Sequence, residues 1–362
     1  MLRNPWHCCG PGRRRVMRVT GSDVSPVAVV GAGGWGTGLA CLAAEKGTVT
    51  RIWALEPEVA DEINTARRNS RYLPEAVIPE KVSASTVLSE VLTGARLVIF
   101  AVPSRWLREV AERSSEYLPR RAWVISATKG METGTGLRMS QVLQEALGEG
   151  SAIAALSGPN LSREIARGMP AAAVIAGRDA ELVLAAQALL LSPRFRVYTN
   201  PDIIGVELGG ALKNIVALAA GASDGLGFGS NTKAALLTRG LAEIRRLGVA
   251  MGARADTFAG LSGLGDLIAT CSSTLSRNWQ VGNRLAQGER IAEIEASMGG
   301  QVAEGVTTTV AACEEARRRK VELPIAEAVC DVIQGRVPPR EAVARLMSRI
   351  GKTEVDSPPL PA

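Results

Sequence analysis

The sequence predicts an α/β domain, a mostly parallel sheet flanked by helices on both faces, followed by an all-helical domain. Three observations lead there. Short β-rich runs alternate with helical patterns from Pro26 to about residue 200. Three glycines, Gly31, Gly33 and Gly36, stand between the first β-rich run and the first helical pattern. Beyond residue 200 the strand signals fade while helical periodicity continues. Strand–helix alternation is the pattern of crossover connections between parallel strands.

In chain order, residues 1–25 carry Pro5, Gly10, Pro11, Gly12 and the run Arg13-Arg14-Arg15 without apolar periodicity. They read as a disordered tail, with Met17 an alternative initiator, and they lack the apolar core of a signal peptide. Strands are expected at 27–31, 48–54, 96–102, 122–128, 151–157, 170–177 and 194–199, with helices between most of them. Helices are expected at 203–221, 231–252, 277–287, 304–319, 324–334 and 339–349. The domains are thus 26–200 and 201–350, with a boundary near Asn200-Pro201. The Pro-rich end, 351–362, reads as a second unstructured tail.

Composition narrows the chemistry. The 362 residues are 46% hydrophobic and 4% aromatic, so Ala, Val, Leu and Gly carry the packing. The formal net charge of +6 fits an anionic small ligand. A nucleic-acid partner is not expected, because no clustered basic stripe is present. The run Arg317-Arg318-Arg319-Lys320 closes a helical pattern, where cations suit the helix C-terminus. No uninterrupted apolar run reaches about 18 residues, so no membrane span is expected. The six cysteines are scattered without a zinc-like pairing, which suits reduced thiols in the cytoplasm. Cys41 and Cys330 lie in apolar helical patterns and read as packing residues. His7 is the only histidine, so a Ser-His-Asp hydrolase and a His-ligated metal site both lose their central residue. No metal is expected.

The segment from Val27 to Gly38 contains Gly31-Ala-Gly33-Gly34-Trp35-Gly36 after a predicted strand and before a helical pattern that runs to Gly47. This is the GxGxxG fingerprint of a Rossmann-like dinucleotide site. The first glycine permits the tight turn, the second admits the pyrophosphate to the backbone, and the third lets helix pack on sheet. The helix N-terminus then faces the phosphates with unbonded N–H groups. Glu56, 25 positions after Gly31, falls where a carboxylate accepts hydrogen bonds from the adenosine ribose. It also reads as helix N-terminal chemistry beside Pro57. A Walker A loop is excluded, since no Gly-Lys-Ser/Thr follows.

Three later segments put polar residues where apolar ones or plain turns would serve. Lys129 follows Ala127-Thr128 at the end of a predicted strand, the side of an α/β sheet where ligands bind. A solvated turn lysine is the plain alternative. Lys213 and Asn214 interrupt a long apolar helix, and a lysine so placed is usually paired or functional. Asp266 lies in the turn Gly263-Leu264-Gly265-Asp266 ahead of Thr270-Cys271, and Ser276-Arg277-Asn278 follows. Both are readable as helix caps, yet Arg277 has the forked donor group suited to phosphate.

Taken together, the motifs resemble the bacterial NAD(P)-dependent glycerol-3-phosphate dehydrogenases. The likeness covers about residues 26–347. It is carried in order by GAGGWGT at 31–37, VPS at 102–104, TKG at 128–130, SGPN at 157–160, the runs 195–221 and 223–243, GLGDLIATC at 263–271, SRN at 276–278 and AEG at 303–305. The resemblance implies reversible oxidation of sn-glycerol 3-phosphate to dihydroxyacetone phosphate, with the reduction supplying the phospholipid backbone. It implies Lys213 as general acid/base, Lys129 as a contact for cofactor and substrate, and Asp266 as a further catalytic and substrate-site position. Gly158, Asn160, Ser276, Arg277 and Asn278 match substrate-site positions, with Arg277 also near the cofactor. Gly34, Trp35, Ser162, Val302 and Glu304 match cofactor-contact positions. Two departures stand out: Leu161-Ser162 where the family often has Phe-Ala, and Leu55 where it often has a basic residue. The second removes a usual NADP contact and favours NAD, with Arg51 or Arg67 as candidate rescuers of NADP. A homodimer is left open. A reductase of non-phosphorylated hydroxy acids would not need the Ser276–Asn278 cluster, and a non-catalytic sensor would not need Lys129, Lys213 and Asp266.

Overall fold

The computed structural model describes residues 24–351, 353 and 354. The rest of the two expected tails lies outside the described residues. Val24, which the sequence reading left to the N-terminal tail, is fully buried beside Val27, Val29 and Leu39, so the packed chain starts earlier than expected.

Eight strands form one sheet: β1 Val27–Val30, β2 Thr50–Trp53, β3 Val82–Ser85, β4 Leu97–Phe100, β5 Trp123–Ser126, β6 Ala152–Ser157, β7 Ala171–Gly177 and β8 Phe195–Asn200. Their order is β3-β2-β1-β4-β5-β6-β7-β8, and every pair is parallel except β6–β7. The chain order reverses between β1 and β4, and a ligand crevice forms at such a switch point. Central strands β1 and β4 are buried on both faces, which is why VAVV and LVIF are continuous apolar runs rather than alternating ones. β3 was not expected. Its sequence, VSAS, has weak β propensity, and pairing with β2 at the sheet edge makes it a strand.

The helices α1 Gly34–Ala44, α2 Pro57–Thr65, α3 Leu88–Leu92, α4 Leu107–Ser115, α5 Met139–Leu147, α6 Ser162–Ala166 and α7 Ala180–Leu190 connect the strands. One face of the sheet packs with α1 and α7, the other with α3, α4 and α5.

After β8 the chain is helical: α8 Ile203–Gly225, α9 Ser230–Ala250, α10 Asp266–Ser272, α11 Arg277–Ala286, α12 Ile291–Ser297, α13 Glu304–Arg319, α14 Pro324–Ile333 and α15 Pro339–Met347. α10 and α12 are too short to have shown a period in the sequence. By length and composition α8 could cross a membrane, but 89% of its apolar window is buried inside the molecule. It is the core helix of the helical part. Glycines bring α11 onto it: a Cβ at Gly221 would lie 1.9 Å from the Trp279 carbonyl oxygen, and one at Gly282 1.9 Å from that of Leu218. Arg318 and Arg319 at the end of α13 pair with Glu315, and Lys320 caps that helix in the left-handed conformation.

Candidate functional site

A cleft of about 740 Å³ opens at the C-terminal ends of β1, β4 and β5 and is closed on its far side by α8, α10, α11 and the start of α13. Its first wall is the glycine turn. Gly31 has φ +116°, and a Cβ there would lie 2.8 Å from the Ala101 carbonyl oxygen. A Cβ at Gly36 would lie 1.8 Å from the Gly31 carbonyl oxygen, whereas Gly33 faces open space. Gly36 therefore serves packing, while Gly33, Gly34 and Trp35 line the cleft. The N-terminus of α1 has no side-chain cap, so its first N–H groups are available to an anion. The buried indole N–H of Trp35 and both amide atoms of Asn160 have no protein partner and border the same space. A bare helix N-terminus, an open glycine and unpartnered polar atoms fit the pyrophosphate and nicotinamide of a dinucleotide. Ser162 on α6, Val302 and Glu304 complete this wall.

At the far end Leu55 and Glu56 line the cleft, with Trp53, Arg105, Trp106 and Arg113 on its rim. The Glu56 carboxylate accepts a hydrogen bond from the Tyr72 hydroxyl at 2.6 Å and lies 3.7 Å from Arg71. Glu56 is also the residue before α2, as the alternative reading had it, but its side chain does not cap that helix. Burial and then the Glu56 carboxylate push the Tyr72 phenol up to about 12, so its proton stays in this bond. Neither of the arginines proposed to rescue NADP points here. Arg51 donates to the carbonyls of Glu90 and Thr93, and Arg67 donates to that of Val82. Each satisfies strand- or helix-end carbonyls on the other side of β2 or at β3, which removes both from the ribose end.

The middle of the cleft holds three charged side chains. The Lys213 ammonium, on α8, donates to Asp266 Oδ1 at 2.9 Å and to the Thr270 hydroxyl. The Lys129 ammonium, just past β5, donates to Asp266 Oδ2 at 2.7 Å and to the Gly158 carbonyl at 2.8 Å. Asp266 opens α10 and is 1% exposed. One buried carboxylate thus holds both lysines, one on each oxygen, and a surplus positive charge remains. Burial pushes the Lys213 ammonium down to about 8; Asp266 opposes this and Lys129 assists it. Gly158 (φ +131°) reaches the site only through the carbonyl that fixes Lys129.

The last wall is the start of α11. Ser276 accepts from the Trp279 N–H at 3.2 Å, so it is the helix cap that the plain reading proposed, and it also lines the cleft. Arg277 opens on the cleft and, among the described residues, has no carboxylate at ion-pair distance. Asn278 is committed at both ends: it donates to Asn214 Oδ1 at 2.9 Å and accepts from the Gly305 N–H at 2.8 Å. One amide hydrogen remains for a ligand. Four residues here had no role in the sequence reading: Thr270, Asn214, Tyr72 and Ser104. Thr270 was findable, lying four positions after Asp266 on one helix face. Tyr72 carried no local signal and Ser104 only its place in the VPS motif, because each meets its partner across the fold. Among the described residues no three His, Cys, Asp or Glu side chains gather as a metal site.

Two family models match the chain: NAD-dependent glycerol-3-phosphate dehydrogenase N-terminus over residues 26–183, and the C-terminus of the same family over 202–344. A glycerol-3-phosphate dehydrogenase [NAD(P)+] of Bacillus mycoides is 46% identical over 93% of this chain and 99% of its own length. One from Corynebacterium aurimucosum is 49% identical over 91% and 99%. The crystal structure of the glycerol-3-phosphate dehydrogenase of Coxiella burnetii superposes with a TM-score of 0.85 at 37% identity, covering 89% of this chain and 98% of that one.

Proposed function

Because this chain belongs to the NAD-dependent glycerol-3-phosphate dehydrogenase family, we propose that its cleft binds dinucleotide and triose phosphate together, with Lys213 as the proton donor. The chain is an NAD(P)-dependent oxidoreductase that interconverts sn-glycerol 3-phosphate and dihydroxyacetone phosphate. The observation that carries the residue assignment is Asp266 held between two lysines at the centre of the cleft.

When bound, the nicotinamide supplies or accepts the hydride. The glycine turn and the start of α1 hold the pyrophosphate. Arg277, with Ser276 and Asn278, holds the substrate phosphate at the other end. Hydride arrival at C2 builds negative charge on its oxygen, and a donor must stand within about 3 Å. Lys213, protonated at neutral pH, gives its proton to that oxygen; in the reverse direction the neutral amine takes the hydroxyl proton. Asp266 and Thr270 aim the ammonium, and Lys129 orients the carbonyl and adds positive charge. Glu56 and Leu55 at the ribose end favour NADH. We read the reaction as cytoplasmic and off the membrane, which is supported by the free thiols of Cys41, Cys271, Cys313 and Cys330 and by the burial of α8. Its product is a phospholipid precursor. NADH oxidation by the purified chain with dihydroxyacetone phosphate tests the substrate. Turnover with a non-phosphorylated hydroxy-acid precursor instead would refute the phosphate reading.

A further inference from the structure

We propose that Ser104 is a positioning residue: it holds the Glu304 carboxylate away from Arg277 and so keeps the Arg277 guanidinium free for the substrate phosphate. This rests on the phosphate role given to Arg277 above. Ser104 lies just past β4 and is 4% exposed. Its backbone N–H donates to Glu304 Oε1 at 3.0 Å, and its hydroxyl donates to Oε2. Both carboxylate oxygens are thereby engaged by one residue, 200 positions away in sequence. Glu304 opens α13, so the contact ties the sheet part to the helical part beneath the cleft. Gly130 makes room for it: a Cβ there would lie 2.6 Å from Ser104 Cβ and 3.4 Å from Glu304 Oε2. The VPS, TKG and AEG motifs therefore converge on one knot.

Arg277 faces the same cleft and is the cation that acts most strongly on Glu304. Glu304 is the carboxylate that acts on Arg277 in return. Arg277 is exposed and Glu304 half-buried, and the Gly305 N–H bonded to Asn278 Oδ1 at 2.8 Å sets the two residues on adjoining helix starts; a guanidinium and a carboxylate so placed attract and pair as a fork. The two nevertheless stand unpaired while Ser104 occupies the carboxylate. Removal of the hydroxyl leaves one oxygen of this half-buried carboxylate short of a donor. Rotation of Glu304 onto Arg277 relieves it and blocks the phosphate site. Arg105 also acts on Glu304, but less strongly than Arg277.

The test is the KM for dihydroxyacetone phosphate, at saturating NADH, in wild type, Ser104→Ala, Glu304→Gln and the double variant. With Glu304 present, Ser104→Ala raises KM by roughly 5- to 30-fold, with kcat changing less, as expected for side chains coupled through one contact. In the Glu304→Gln background, where no charge competes for Arg277, the same change moves KM by less than about twofold. An equal penalty in both backgrounds would mean that Ser104 is merely structural and overturns the proposal, as would no penalty at all with Glu304 present. If Ser104→Ala does not fold, Ser104→Cys, which keeps the shape and donates weakly, replaces it in the same cycle. Arg277→Ala is measured alongside: an unchanged KM there removes the phosphate role itself, a failure distinct from that of Ser104.

Discussion

At the scale of single residues, the proposed proton donor is Lys213, whose ammonium is lowered by burial and by Lys129 and held by Asp266. With the ammonium lowered to about 8, reduction needs the protonated form and oxidation the neutral one. The kcat for dihydroxyacetone phosphate reduction therefore falls as pH rises through about 8, and the kcat for glycerol 3-phosphate oxidation rises through the same window. Rate profiles in both directions check this; two profiles moving in the same direction would count against Lys213. Lys129 differs because it is partly exposed and hydrogen-bonded to the Gly158 carbonyl. Lys129→Ala raises KM as well as lowering kcat, by roughly tenfold or more each, since it removes a binding contact and leaves one oxygen of Asp266 without its cation. A variant with unchanged KM would show that Lys129 does not touch the substrate. The sequence made both lysines legible, one as a charge inside an apolar helix and one at a strand end. It could not show that a single aspartate joins them, because that meeting is made by α8, α10 and β5 packing together.

At the scale of elements, α8 decides the geometry. It presents Lys213 and Asn214 to the cleft, and its glycines allow α11, which carries Arg277 and Asn278, to approach backbone to backbone. A methyl at Gly221 has nowhere to go except against the Trp279 carbonyl. Gly221→Ala destabilises the chain by roughly 1–3 kcal/mol, the usual cost of overpacking, and raises the KM for the phosphate substrate as α11 is pushed away. Thermal melting and steady-state kinetics read the two effects; an unchanged Tm would show that the helices separate without cost. The long elements were legible because glycine turns, apolar runs and helical periods are local. The edge strand β3, the short α10 and α12, and the antiparallel turn of β7 were not, because tertiary pairing forms them.

At the scale of the whole molecule, the sheet part supplies the dinucleotide wall and Lys129, the helical part supplies Lys213, Asp266 and Arg277, and the cleft exists only where they meet. In the proposed mode of binding, cofactor choice is set at the sheet end. The Glu56 carboxylate, fixed by Tyr72, stands where a 2′-phosphate would bring like charge, while Arg51 and Arg67 are occupied elsewhere. We expect kcat/KM for NADH to exceed that for NADPH by at least about tenfold, given the cost of like charges at close range. A preference for NADPH would mean that the rim arginines outweigh Glu56. The central claim remains that the cleft works through proton transfer by Lys213, and one measurement reaches it most directly: turnover of dihydroxyacetone phosphate by purified Lys213→Ala, with NADH binding followed by fluorescence. The account predicts a kcat lower by roughly 100-fold or more with NADH still bound, since general acid catalysis commonly contributes 10²–10⁴. Turnover within a few-fold of wild type, with NADH binding unchanged, would contradict it.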